Sequence, residues 1–315
     1  MKRRAVLAGL MAGVLAAILM VADLNPAVPQ TTSLNALRST EDPGLDPDAS
    51  AWSDAQEVVL PLTAQQVTYP FGGGSIAEVR VRALYHDRNL YLRVVWGDRS
   101  RDATSDAVDR FTDSVAVEFP ADAKASVPSV CMGQADGGVN VWQWRADRQS
   151  TGASASLADL YQTDDFFPAD ELGNPVAQRG RAAQDLVARG FGTLAKAPTQ
   201  SVRARGVYSK GDEQEPAEWT VVFQRPFAKP GRGQPEFSVS DKLDVAFAVW
   251  NGREGDRNGI KSVSQFGRLV LSSSSLPASP WSGWWLILLP LVALMIAALW
   301  RLSRWLGSSS KANTR

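Results

Sequence analysis

The chain has 315 residues, with 33 basic, 33 acidic, one His and one Cys. One Cys cannot build a disulfide framework, a protein-held iron–sulfur cluster or a C-x-x-C-H haem attachment. Residues 1–22 and 281–315 hold seven basic and no acidic residues, leaving 26 basic against 33 acidic between them. That acidic balance argues against nucleic-acid binding.

Residues 1–22 read as a signal peptide or N-terminal anchor: Lys2, Arg3 and Arg4 precede an uncharged apolar run. The polar, Pro-rich stretch 23–50 reads as a linker or arm. From residue 51 the pattern turns to short alternating runs. "VRVRALYHDRNLYLRVVWGD" reads as a β-hairpin around "HDRN", and "DSVAVEF", "NVWQWRA", "SVRARGVY", "EWTVVFQRPF" and "KLDVAFAVWNG" as further strands. Residues 51–275 are therefore expected to form an all-β domain, an antiparallel β-sandwich, with "QRGRAAQDLVARGFG" as a helical or irregular insertion. Residues 281–302 are expected to form one transmembrane helix. The run from Trp281 to Leu299 is uncharged, Trp281, Trp284 and Trp285 mark one interface, and Trp300 and Trp305 mark the other. Arg301, Arg304, Lys311 and Arg315 follow, so residues 303–315 read as a cytoplasmic tail. The expected location is the cytoplasmic membrane, with the main domain on the periplasmic side.

Hydrolytic chemistry has little to work with. The single His86 sits in the hairpin turn, and no Ser-His-Asp set, P-loop or H-E-x-x-H is present. Carboxylates such as Asp98 and Asp113 leave a calcium site open. The informative residue is Met132, the one Met between the two apolar end segments. A thioether is a soft neutral ligand for iron; a Met at a strand end is also a common core filler. A second ligand other than His could be a neutral Lys amine. Lys261 stands out among few lysines because it follows the strand "DVAFAVW" and a Gly-rich loop. Trp142 and Trp144 share one face by period two, and could wall a core, wall a cofactor or stack on a sugar.

Taken in order, "LPLTAQQV", "VRVRALYHDRNLYLRVVWGD", "FTDSVAVEFP", "CMGQADGGVNVWQWRAD", "EWTVVFQRPF" and "VAFAVWNGREGDRNGIKSVSQF" resemble the haem-binding γ subunits of ethylbenzene dehydrogenase and its relatives. Those belong to the dimethyl sulfoxide reductase family of molybdenum enzymes. The resemblance implies a β-sandwich holding one haem b with Met and Lys as axial ligands. The family's "MG" before a W-x-W strand matches Met132, and its Lys after W-x-G and a Gly/Asn-rich loop matches Lys261. Trp142, Trp144 and Trp250 are then expected to shape the pocket. The implied role is an electron-transfer subunit, not catalytic alone, partnered by an iron–sulfur β subunit and a molybdopterin α subunit, and by a cytochrome c or membrane carrier. The C-terminal apolar segment departs from the soluble ethylbenzene enzyme and is closer to membrane-anchored nitrate- or nitrite-handling relatives. The rival expectation is an exported carbohydrate-binding β-sandwich module without haem, in which Trp142 and Trp144 stack on sugars.

Overall fold

The structure, a computed structural model, describes residues 32–273 apart from 68, 106, 123–126, 131, 150–181, 213–215 and 229–230. Strands β1 (Ser33–Arg38), β2 (Val58–Pro61) and β3 (Thr63–Ala64) precede the hairpin of β4 (Glu78–His86) and β5 (Asn89–Gly97). Then come β6 (Ser114–Pro120), β7 (Val139–Arg145), a one-turn helix α1 (Ala146–Gln149), β8 (Ala183–Ala188) and β9 (Ala195–Lys196). The chain continues through β10 (Arg203–Ser209), β11 (Glu218–Pro226), β12 (Lys242–Trp250), β13 (Ser262–Val263) and β14 (Gly267–Ser272). The hairpin turn fits its sequence: Asp87 and Arg88 both take positive φ, which a two-residue loop matched to strand twist requires.

The strands run β10-β11-β5-β4-β1-β14-β12-β6-β7-β8-β9. Strand β12 belongs to two layers. Its first half, Lys242–Val245, pairs with β14, and its second half, Ala246–Trp250, pairs with β6. The layers close on a shared core. Trp96 of β5 stacks on Trp219 of β11 at 6.3 Å, Trp219 meets Trp144 of β7 at 5.0 Å, and Trp142 meets Phe119 at 4.7 Å. Each fully buried side chain of this size contributes about 2–3 kcal/mol through burial. One cation is built into this interior. Arg225 is fully buried, its guanidinium 4.7 Å from the Phe237 ring and 5.5 Å from the Trp142 ring, with Asp185 drawing on it electrostatically.

Three expectations change. The sheet is mixed rather than purely antiparallel, because β1 runs parallel to both β14 and β4. That strand lies inside the stretch read as a linker; Leu34, Ala36 and Leu37 bring enough apolar surface to fill the gap between β4 and β14. The segment read as a helical or irregular insertion contains a strand instead. β8 pairs along β7 from Ala183 to Ala188, and the ladder together with burial on both faces outweighs the helix preference of its Ala, Gln and Leu. Among the described residues no helix is long and apolar enough to cross a membrane. The segments 1–22 and 281–302 and the tail 303–315 lie outside the described residues.

The edge strand β10 is locked by Trp144. Its indole donates to Gln149 Oε1, and Gln149 bonds both the N–H and the C=O of Gly206. A Cβ on Gly206 would sit 2.3 Å from the Trp144 ring. Gly206→Ala is expected to lower stability by about 1–3 kcal/mol through overpacking, read as a shift in the urea midpoint with an unchanged slope.

Candidate functional site

Side chains of the second layer alternate between its two faces, as the pleat requires. Val115, Val117 and Phe119 of β6 join the shared core. Ser114, Ala116 and Glu118 point the other way, into a cavity of about 600 Å³ on the outer face of that layer. The cavity exists because its floor is built from small residues. Ala246 pairs across from Glu118, and Ala248 across from Ala116, so little side chain rises from this part of the sheet. Val141 and Leu186 make the adjoining floor apolar. Every residue of β6 is buried, on both faces, so loops must cover the outer one.

Met132 comes from one covering loop. Its φ is +71°, and Gly133 follows at +73°. A left-handed residue with a side chain costs about 1–2 kcal/mol, and such backbone persists where surroundings hold it. Here the Met132 N–H donates to Glu118 Oε2 at 3.3 Å, and its C=O accepts from Gly190 N–H at 2.8 Å. Gly133 is obligatory, since a Cβ would lie 2.5 Å from the Gly137 carbonyl. The partly buried Met132 packs against the apolar cluster that holds Ala116, Val141, Leu186 and Trp250.

Lys261 comes from the other covering loop. It is 6 % exposed, and its Nζ lies 5.1 Å from the Trp250 ring centroid. Its backbone is gripped on both sides, by Gly72 C=O and by Gln65 N–H. The fully buried Gln65 amide also donates to Pro70 C=O and Gly259 C=O, tying two loops together. At Gly73, φ +89°, a Cβ would come within 2.2 Å of the Lys261 carbonyl group. Trp250 completes the arrangement by donating its indole N–H to Asn258 C=O.

Met132, Lys261 and Trp250 therefore meet at one cavity. Trp142 and Trp144 do not reach it. Both are fully buried on the opposite face of β7, whose cavity face carries Val141, Gln143 and Arg145. Period two placed the pair on one face without saying which. Full burial also removes them as a sugar-stacking platform. His86 stays in its turn, with Nδ1 3.1 Å from the Ser39 carbonyl oxygen and Nε2 3.2 Å from an Asp87 oxygen.

The residue that sequence reasoning missed is Glu118. It stands on the apolar floor, and burial pushes its carboxyl up to about 8, against the pull of Lys261 and the Met132 N–H. The cavity lining also includes Arg110, Arg145, Arg148 and Arg257. Arg145 is paired with Asp147 at 2.6 Å, while burial and the neighbouring Arg145 push Arg148 down to about 9. Arg257 lies over Phe111 at 4.8 Å.

Behind the rim, Asp113 is fully buried and accepts from the N–H groups of Asp102 and Gly252 and from the Trp219 indole. Burial, then the neighbouring Asp98, push it up to about 7, and burial raises Asp98 as well. An acid raised on folding binds its proton more tightly in the native state, so its contribution is full below the unfolded value and is lost as pH rises to the folded one. Asp98 and Asp113 should thus make the protein lose stability between roughly pH 4 and 7. Asp98→Asn, which removes the repulsion on Asp113, is expected to flatten that part of the profile, measured as denaturation midpoints across pH.

The model of the family described as ethylbenzene dehydrogenase matches residues 49–262. A Haloferax mediterranei protein named for the heme subunit of a respiratory nitrate reductase is 29 % identical over 227 residues, 72 % of this chain and 68 % of that protein. The chlorate reductase subunit gamma of Ideonella dechloratans is 27 % identical over 224 residues, 69 % of this chain and 75 % of that one. Among solved structures, a family 9 carbohydrate-binding module from Caldicellulosiruptor kristjanssonii in complex with glucose overlaps 78 % of this chain and all of its own at 10 % identity, with a TM-score of 0.40. That overlap is too slight to carry an argument. The family match takes in both covering loops and the strands between them, and this chain belongs to the ethylbenzene dehydrogenase family.

Proposed function

We propose that the cavity holds a haem b, which Met132 would hold through its thioether and Lys261 through its amine. The chain is then an electron-transfer subunit of a molybdenum and iron–sulfur oxidoreductase complex, without catalysis of its own. It relays single electrons between an iron–sulfur subunit and a cytochrome c or membrane carrier, with catalysis in a molybdopterin subunit. The observation that carries this reading is the meeting of the two rare donors, from loops far apart in sequence, at one cavity with an apolar floor. The names of the nitrate reductase and chlorate reductase relatives support it.

The residues present fit the group. A cavity of about 600 Å³ is in the range of cofactor sites, roughly 300–1,000 Å³. Bound haem supplies a one-electron couple, which a thioether ligand shifts toward the ferrous state. The chain's own part is to hold and shield. Met132 offers a neutral soft donor. An amine ligates only in its neutral form, which a buried site favours over the ammonium, and Lys261 is 6 % exposed. Ala116, Ala246 and Ala248 leave room for a flat ring, and Trp250 lines the same space. Arg145, Arg148, Arg110 and Arg257 offer guanidinium partners for haem carboxylates. The same reading sets this domain on the periplasmic side, tethered by residues 281–302; alkaline extraction of membranes would release a tetherless protein and retain an anchored one.

Full-length protein loaded with haem is expected to give a sharp low-spin b-type spectrum, oxidised and reduced. Met132→Ala and Lys261→Ala should each disturb it, by loss of the low-spin bands or of bound haem. Absence of a haem band in the wild type, with haem supplied during expression, would sink the proposal.

A further inference from the structure

Glu118 is out of keeping with its surroundings. It occupies the middle of the cavity floor, between Ala246 on β12 and Val141 on β7. It is 8 % exposed, and its Oε1 accepts no hydrogen bond from any described residue. A buried carboxyl on an apolar floor carries a desolvation cost that calls for an explanation. Its other oxygen, Oε2, reaches across to the covering loop and accepts the Met132 N–H.

We propose that Glu118 is the positioning residue for the Met132 ligand: its carboxyl oxygen holds the Met132 N–H and so fixes the left-handed turn that directs the thioether into the cavity. The inference rests on the haem reading. The turn is restrained from two sides, by Glu118 at the Met132 N–H and by Gly190 at its C=O. Of the two, only Glu118 belongs to the floor. It therefore fixes the ligand loop relative to the surface on which the haem would lie. Gly190 ties Met132 to a neighbouring loop and cannot set that height. Lys261 is near enough to pull on the same carboxyl electrostatically, so Glu118 interacts with both proposed ligands.

The role needs an acceptor oxygen at the end of a two-methylene side chain, and it does not need a charge. Four full-length proteins separate these: wild type, Glu118→Gln, Glu118→Leu and Glu118→Asp. Each is loaded with haem, reduced and titrated with carbon monoxide in the dark, which binds only where an axial ligand yields. Thermal unfolding of each apoprotein tracks the fold separately. Glu118→Gln keeps the acceptor and is expected to stay low-spin with wild-type resistance to carbon monoxide. Glu118→Leu fills the space without the acceptor, and should bind carbon monoxide about tenfold more tightly, the equilibrium worth of one hydrogen bond. Its spectrum should shift toward that of Met132→Ala without reaching it. Glu118→Asp is too short to reach and should behave like Glu118→Leu, standing in for it if the Leu variant does not fold. Leu and Asp variants as closed as wild type would overturn the proposal. So would a Gln variant as open as the Leu variant, which would make Glu118 a counter-charge for Lys261. Wild-type protein that takes up no haem removes the haem reading itself, a result visible before any variant is compared.

Discussion

The pleat of the second layer is the constraint on which the rest of the site depends. Along β6, β7 and β12, side chains must alternate between faces, and here both faces are put to use. One receives the large residues: Val115, Val117, Phe119, Trp142, Trp144 and Phe247 interlock with the first layer. The other receives Ser114, Ala116, Ala246 and Ala248, and the resulting shortage of side-chain volume is the cavity. The aromatic core and the binding space are two faces of one sheet. A register slip of one residue in any of these strands would exchange its two faces, sending its core side chains into the cavity and its cavity side chains into the core.

The loops that roof the cavity are held by backbone approach more than by side-chain packing. Gly73 lies against the Lys261 carbonyl group and Gly133 against the Gly137 carbonyl, at distances no side chain tolerates. The buried Gln65 amide satisfies carbonyls from both Pro70 and Gly259, so the Lys261 loop cannot move away without stranding polar groups. A donor side chain carried on such a loop arrives at the cavity with its backbone already ordered. Less conformational entropy is then lost when a ligand binds.

What could be read in the sequence was what depends on residue type. Met132 and Lys261 stood out through rarity and setting, and the structure puts both at one cavity. Most of the strands follow their period-two patterns. What could not be read depends on which surface meets which. Trp142 and Trp144 were visibly on one side of a strand, but the inner or outer sense of that side is decided by the first layer. Glu118 alternates with apolar residues in "SVAVEFP", as a solvated residue would, and it is buried because loops cover that face of the sheet. The short run "SLNALR" sits among Pro and polar residues, and becomes a strand because β4 and β14 leave a slot for it. In β8 the local helix preference of "AAQDLVA" loses to a partner strand distant in sequence.

The placement of β1 ties the two extremes of the described domain together. Ser33–Leu37 pairs along Arg268–Ser272, so the first of the described strands is completed by the last of them. Contacts so far apart in the chain carry a high closure entropy and form late. Nothing upstream can finish the first layer early, since β1 separates β4 from β14 and each needs it as a neighbour. During synthesis β1 would keep one edge unpaired until β14 emerges. The domain is thus poised to mature as a unit, with its birth order and its assembly order running in opposite senses at this seam.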